Sequence, residues 1–323
     1  MLDLNNPEIQ FAIQAVRMAS ILVKTIQAEM VSPAIAKQDR SPVTVADFAA
    51  QALVGHLLEA HFPEDPVIGE EDSAILRSDP PTLERVTHFI RSFVPQTDPE
   101  AVCRWIDHGS VDSAPRYWTL DPIDGTKGFL RGDQYAVALA LVHNGVVQMG
   151  VLGCPNLTLQ GMEGLLTVAA RGQGAWILPI DGPAYPKPIR VSPQHDPAQA
   201  RLLRSFEAKH TNVSKIDLFA EALGAQALPV RMDSQAKYTI LAAGEGEIYL
   251  RLLSESQPDY HEKIWDQAAG AIIVEEAGGR VTDLDGKPLD FNQGRTLSRN
   301  RGICATNGVL HEEALHALQA IHA

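Results

Sequence analysis

The sequence predicts an α/β (α+β layered) protein, and three observations carry that expectation. Segments with the 3.6-residue apolar spacing of helices alternate with Val/Ala/Leu-rich segments of strand character. No internal repeat joins them, so the elements belong to a layered core rather than a stacked array. Prolines at 179, 183, 186 and 188 divide the 323 residues into two units, 1–188 and 189–323.

Residues 7–30 read as an amphipathic helix, with Pro7 near its start and Ile9, Ile13, Val16, Ile21, Val23 and Ile26 as its apolar positions. A second helix is expected from Thr44 to about His61, with Val45, Ala49, Ala52, Leu53 and Leu57 as its buried stripe. Residues 72–117 are rich in Pro, Ser, Asp and Arg. They read as a surface excursion with some helix that shapes the mouth of a site. From Tyr135 to Leu152 the pattern is a hairpin turning at His143-Asn144-Gly145. Further strands are expected around 166–170, 174–178, 201–206 and 248–252. Helices are expected at 214–224, 235–244 and 266–277, the last ended by Gly278-Gly279.

The composition narrows the function. Hydrophobic residues at 45% and charged residues at 21% describe a soluble globular chain. A net charge of −13 argues against nucleic-acid wrapping or binding to an anionic membrane, but not against a small anionic substrate held by local cations. Cys103, Cys154 and Cys304 are odd in number and have no CxxC spacing, which suits a reducing compartment. The first apolar run is broken by Gln14 and Arg17, so neither a secretion signal nor a membrane span is expected, and the cytoplasm is the default location.

The chemistry concentrates in acidic motifs. Trp118-Thr-Leu-Asp121-Pro-Ile-Asp124-Gly-Thr126-Lys127 delivers two aspartates three apart on an apolar approach, with Pro122 and Gly125 forcing a turn. Gly69-Glu70-Glu71-Asp72 follows the apolar run Pro66-Val67-Ile68, and Trp265-Asp266-Gln267 opens a helix. Two buried carboxylates about 4 Å apart repel by roughly 4 kcal/mol at an effective dielectric of about 20. Such sites are normally neutralised by a cation or by a proton. All-oxygen donors without Cys or His fit Mg²⁺ rather than zinc. Other readings stand beside this one: Asp121 and Asp124 as turn formers, Asp266 as a helix cap, and Thr44-Val-Ala-Asp47 as a capping box. No Walker A sequence and no HExxH pair is present.

Taken in order, these motifs resemble the magnesium-dependent, lithium-sensitive phosphatase superfamily that includes inositol monophosphatase, and within it the 3'(2'),5'-bisphosphate nucleotidases. Ser41-Pro-Val-Thr44-Val-Ala-Asp47, Gly69-Glu70-Glu71 and Asp121 through Gly132 carry the resemblance. So do Asp233-Ser234-Gln-Ala-Lys237-Tyr238, Ile248-Tyr-Leu-Arg251 and Tyr260-His-Glu-Lys-Ile-Trp-Asp266-Gln-Ala-Ala-Gly270. It implies the stacked helix–sheet sandwich of the sugar phosphatases, with most metal ligands in 1–188 and the nucleotide contacts and Asp266 in 189–323. Two or three Mg²⁺ ions are implied. By the resemblance, Asp121 would bridge two of them, the Ile123 carbonyl and Glu70 would serve the first, and Asp124 and Asp266 the second. The resemblance also implies that Glu70 acts on the attacking water, helped by an Asp47–Thr126 dyad. Gly125, Thr126, His210, Ser234, Lys237 and Arg251 form the implied substrate-binding set.

Lys127-Gly128, Ser234, Lys237 and Arg251 favour a nucleotide over an inositol phosphate. The implied reaction is removal of the 3'-phosphate of 3'-phosphoadenosine 5'-phosphate, with the 5'-phosphosulfate analogue as a second substrate. An inositol (poly)phosphate 1-phosphatase is the alternative enzyme. A non-catalytic bisphosphate sensor is the alternative of another class, and it would be expected to lack a metal ligand or Thr126. The expected assembly is a monomer or weak homo-oligomer without nucleic-acid or membrane partners.

Overall fold

A computed structural model describes residues 1–30, 41–108, 111–182, 185–206, 213–254, 257 and 259–323. Five layers alternate helix, sheet, helix, sheet, helix. The outer helices α1 (Pro7–Met30) and α2 (Ser41–His61) cover one face of the first sheet. That sheet runs in sequence order: β1 (Val67–Gly69), β2 (Arg116–Asp124), β3 (Ala136–His143), β4 (Val146–Leu159), β5 (Met162–Ala170), β6 (Gly174–Pro179) and β7 (Lys187–Ile189). β1 and β2 are parallel, and every later neighbour is antiparallel.

Alternation along β3 decides which layer each side chain joins. Val137, Leu139 and Leu141 face α1 and α2, whereas Ala136, Ala138, Ala140 and Val142 face the middle helices. The small alanines let α8 (Ala236–Ala242) and α9 (Ala268–Glu276) lie close against the sheet. A Cβ on Gly150 of β4 would stand 2.7 Å from the Ala269 Cα.

The second sheet holds β8 (Leu202–Arg204), β9 (Val230–Arg231), β10 (Ile248–Arg251), β11 (Arg280–Thr282) and β12 (Ile303–Thr306), in the order β11-β12-β10-β8-β9. Leu203, Tyr249, Val281, Ile303 and Ala305 pack toward α8 and α9. On the far side Leu202, Ile248, Leu250 and Cys304 meet α7 (Val213–Leu223) and α10 (His311–Ala320).

Two expectations are corrected. The 72–117 segment is largely helical: α3 (Ser73–Arg77), α4 (Pro80–Ile90) and α5 (Pro99–Asp107) each start on an aspartate cap, Asp72, Asp79 and Asp98. They pack beside α2, and none of their residues lines the cavity described below. The second helix begins at Ser41, so Thr44 lies inside its first turns and the capping-box reading of Thr44 and Asp47 does not hold.

The Asn144-Gly145 turn is as expected, both residues having the positive φ that this hairpin demands. α1 is long and apolar enough to cross a membrane by length and composition, but its apolar residues are buried against the sheet. The three cysteines are free and buried.

Candidate active site

The site forms where β1 and β2 end together. Gly69 lies opposite Leu120, and the Glu70 N–H donates to the Leu120 carbonyl at 3.2 Å, which sets Glu70 beside Asp121. The Gln51 side chain fixes the chain just beyond. Its Nε2 donates to the Glu71 carbonyl at 2.6 Å, and its Oε1 accepts from the Glu71 N–H at 3.0 Å.

Residues three apart on a regular strand point to opposite faces. Here Asp121 lies opposite Ala138 and Asp124 opposite Ala136, so three steps on β2 answer two on β3. The extra residue is a bulge at Pro122-Ile123, which returns Asp124 to the same cavity as Asp121. Proline suits the bulge because it has no N–H to leave unpaired. Gly125, at φ +94°, then turns the chain into α6 (Thr126–Arg131). A Cβ there would stand 2.7 Å from the Ser234 Cβ, so any larger residue would clash as well as strain the backbone.

A cavity of about 390 Å³ opens at this point. Glu70, Asp121, Asp124 and Asp266 line it, with Ile123, Gly125, Thr126 and Ser234 between them and Lys127, Lys237 and Arg251 opposite in charge. Asp121 is 2% exposed, and its Oδ1 has no hydrogen-bond partner. Burial first, then the charges of Glu70 and Asp124, hold its carboxyl well above the usual range. Burial and Asp124 do the same to Asp266, with Arg251 pulling the other way.

Glu70 reaches solvent on the cavity side although protein surrounds it. Burial, then Glu71 and Asp124, push it up to about 7. Asp47, in the second turn of α2, is raised well above the usual range by burial and then by Glu70 and Glu71, and its Oδ1 is also without a partner.

Among the described residues, no three acidic, imidazole or thiol side chains are already drawn into a metal cage. The chemistry of the lining nevertheless suits a hard cation: four carboxylates share one cavity, burial and their neighbours' charges raise the pKa of Glu70, Asp121 and Asp266, and a buried oxygen is left unpaired. Asp47 lies behind this lining, and no hydrogen bond joins it to Thr126, which is exposed at the start of α6. His210 lies outside the described residues.

On the cationic side, Lys237 of α8 is 2% exposed. Its Nζ donates to the carbonyls of Ser234 at 2.8 Å and Met232 at 3.2 Å, and sits 5.2 Å from the centre of the Tyr249 ring. Burial lowers its pKa to about 8. Ser234 precedes the helix at φ +65°, and its hydroxyl accepts from the Ala236 N–H. Arg251 makes two bonds to Glu262, at 3.2 and 2.8 Å, and its Nη2 stands 3.9 Å from Asp266 Oδ2. The ion-pair reading of Arg251 is therefore seen, and the same side chain also lines the cavity.

Sequence reasoning missed the polar residues that hold these groups. Glu262 accepts from Gln267 as well as from Arg251, and Tyr238 donates its hydroxyl to Gln267. Asp233 ties Arg131 to the Phe206 N–H. The available signal was an uncharged polar residue inside an apolar stretch, as Gln51 is within Ala49-Ala50-Gln51-Ala52-Leu53.

The profile of the inositol monophosphatase family matches residues 5–323. A 3'(2'),5'-bisphosphate nucleotidase of Schizosaccharomyces pombe is 39% identical, with 97% of this chain and 95% of that protein covered. One of Oryza sativa is 41% identical, with 97% and 93% covered. The structure of the Thermotoga maritima IMPase superposes with a TM-score of 0.66 over 98% of each chain at 22% identity, which speaks for the fold.

Proposed function

The chain belongs to the inositol monophosphatase family, and from that premise we propose that it is a magnesium-dependent phosphatase acting on 3'-phosphoadenosine 5'-phosphate. It would release the 3'-phosphate and leave AMP, with the 5'-phosphosulfate analogue as a second substrate. The observation that carries the reading is one cavity lined by four carboxylates together with Lys127, Lys237 and Arg251. Acids alone would suit any hard-cation site. The buried Lys237, with Arg251 and the exposed Lys127 beside the acids, suits a substrate with a second anionic group. The relatives from yeast and rice, similar over nearly their whole length, are named for this substrate class.

Glu70, Asp121, Asp124 and Asp266, with the Ile123 carbonyl, would hold two or three Mg²⁺ ions. Bound magnesium would screen the phosphate and lower the pKa of the attacking water. Glu70 is the candidate base for that water's proton. Its pKa of about 7 belongs to the ion-free site; beside bound Mg²⁺ the carboxylate would stay ionised and able to accept the proton. Asp47 assists through its buried carboxyl, and Thr126 borders the transferred phosphate. Lys237, anchored by two carbonyls, and Arg251, anchored by Glu262, present fixed positive charge to the remote phosphate at little ordering cost. Ser234 and Gly125 keep that wall close to β2. His210 remains an expected contact from the sequence alone. A monomer or weak homo-oligomer in the cytoplasm is the setting proposed.

Phosphate release from 3'-phosphoadenosine 5'-phosphate, inositol 1-phosphate and inositol 1,4-bisphosphate tests this, each with Mg²⁺, with EDTA and with added Li⁺. Fast, Mg²⁺-dependent, Li⁺-sensitive release from the nucleotide is expected. Preference for an inositol phosphate would overturn the substrate, and tight nucleotide binding without turnover would favour a sensor.

A further inference from the structure

We infer that Gln235 is a positioning residue for the metal site: it fastens the turn carrying Asp266 to Asp124, and its side-chain oxygen is an acceptor for the water shell of the bound cation. Three contacts lead there. Its backbone N–H donates to Asp124 Oδ2, its Nε2 donates to the Trp265 carbonyl at 3.1 Å, and its Oε1 has no partner although the residue is 3% exposed and lines the cavity.

Asp124 ends a strand of the first sheet, whereas Asp266 precedes α9 between the sheets, 142 positions further along (266 minus 124). Both carboxyls line the same cavity, so their separation matters to any cation they share. Gln235 bonds to both segments through one residue.

The local backbone is built for this. Ser234 holds the left-handed φ of +65°, a conformation that costs a non-glycine residue free energy and is kept only where its surroundings impose it. It directs the next N–H at Asp124. The close approach of Ser234 to Gly125 leaves no room for a Cβ there and brings the two segments within bonding reach.

A buried amide oxygen without a donor is uncommon in a folded chain and implies a partner. Water held by a hard cation is a strong donor, and Mg²⁺ keeps several such waters when bound. This inference rests on the proposed metal site, and it adds a residue that neither the acidic motifs nor the substrate contacts include.

The test is a titration of the whole protein with Mg²⁺ alone, read as the rise in melting temperature and independently by calorimetry, with no substrate present. Losing a partner outside the direct ligands commonly weakens metal affinity about 10- to 100-fold. Gln235→Met, of similar volume, is expected to raise the half-saturating Mg²⁺ concentration about tenfold. Gln235→Asn, whose shorter amide falls short of the Trp265 carbonyl, gives a smaller shift and serves if the first variant does not fold. Thr167→Val, which breaks a buried bond between β5 and α8 away from the cavity, controls for simple destabilisation and should leave the Mg²⁺ response unchanged.

A Gln235→Met or Gln235→Asn protein that titrates like the wild type overturns the inference while leaving the metal site standing. A wild-type protein with no Mg²⁺ response overturns both.

Discussion

Asp121 cannot be understood apart from what surrounds it. Burial and four neighbouring carboxyls raise its pKa, and Glu70, Asp47 and Asp266 share the condition. In the ion-free protein these groups keep protons at pH values where the unfolded chain, with carboxyls near 4, has released them. Stability therefore falls as pH rises. Melting temperature in EDTA should drop from about pH 5 to about pH 8, through the pKa of about 7 at Glu70. Asp121→Asn should flatten the drop. Added Mg²⁺, which needs deprotonated ligands, should offset it in the wild type. A flat or rising melting curve in EDTA would show that the acids are not strained. Arg251 is the reverse case. Arg251→Ala leaves the 5%-exposed Glu262 without its cation, and breaking such a pair costs about 3–5 kcal/mol. Urea unfolding should read that loss, and the double variant with Glu262→Gln should recover much of it. The acids were legible in the sequence because carboxylates at the ends of apolar runs are conspicuous. Their buried supports, Gln51, Gln235, Glu262 and Gln267, were not, because only the fold shows which polar side chains face inward.

At the scale of elements, the site depends on how closely α8 and α9 approach. A Cβ on Gly270 would stand 2.0 Å from the Tyr238 ring, so the two helices meet through a glycine. Gly270→Ala should cost about 1–3 kcal/mol by overpacking. It should also weaken turnover, because Tyr238 bonds Gln267 and Gln267 supports Glu262. Unchanged urea midpoint and activity would show that the contact gives freely. α1, the β3–β4 hairpin and α7 were readable from period and turn chemistry alone. The start of α2 was misread because Thr44 and Asp47 have capping-box spacing, while Pro42 is tolerated in a first turn. Some helix was expected in 72–117, but α3 and α5 were too short to delimit and α4 was obscured by the Pro80-Pro81 pair at its start. β7, β9, β11 and β12 are two to four residues long, too short for a period to show.

The whole molecule is five layers in which Glu70, Asp121 and Asp124 at the end of the first sheet, Lys237 and Asp266 of the middle layer and Arg251 of the second sheet meet on one cavity. Alternating strands and helices announced a layered fold. The layer order did not follow from the sequence, since both faces of each sheet are apolar. The reading proposed from this convergence is metal-dependent removal of one particular phosphate from a nucleotide carrying two. Phosphorus NMR of 3'-phosphoadenosine 5'-phosphate incubated with the protein, in Mg²⁺ and in EDTA, tests it most directly. Inorganic phosphate with AMP that keeps its 5'-phosphate, formed only with Mg²⁺, is the expected result. Adenosine 3'-phosphate as product, or undiminished turnover in EDTA, would contradict it.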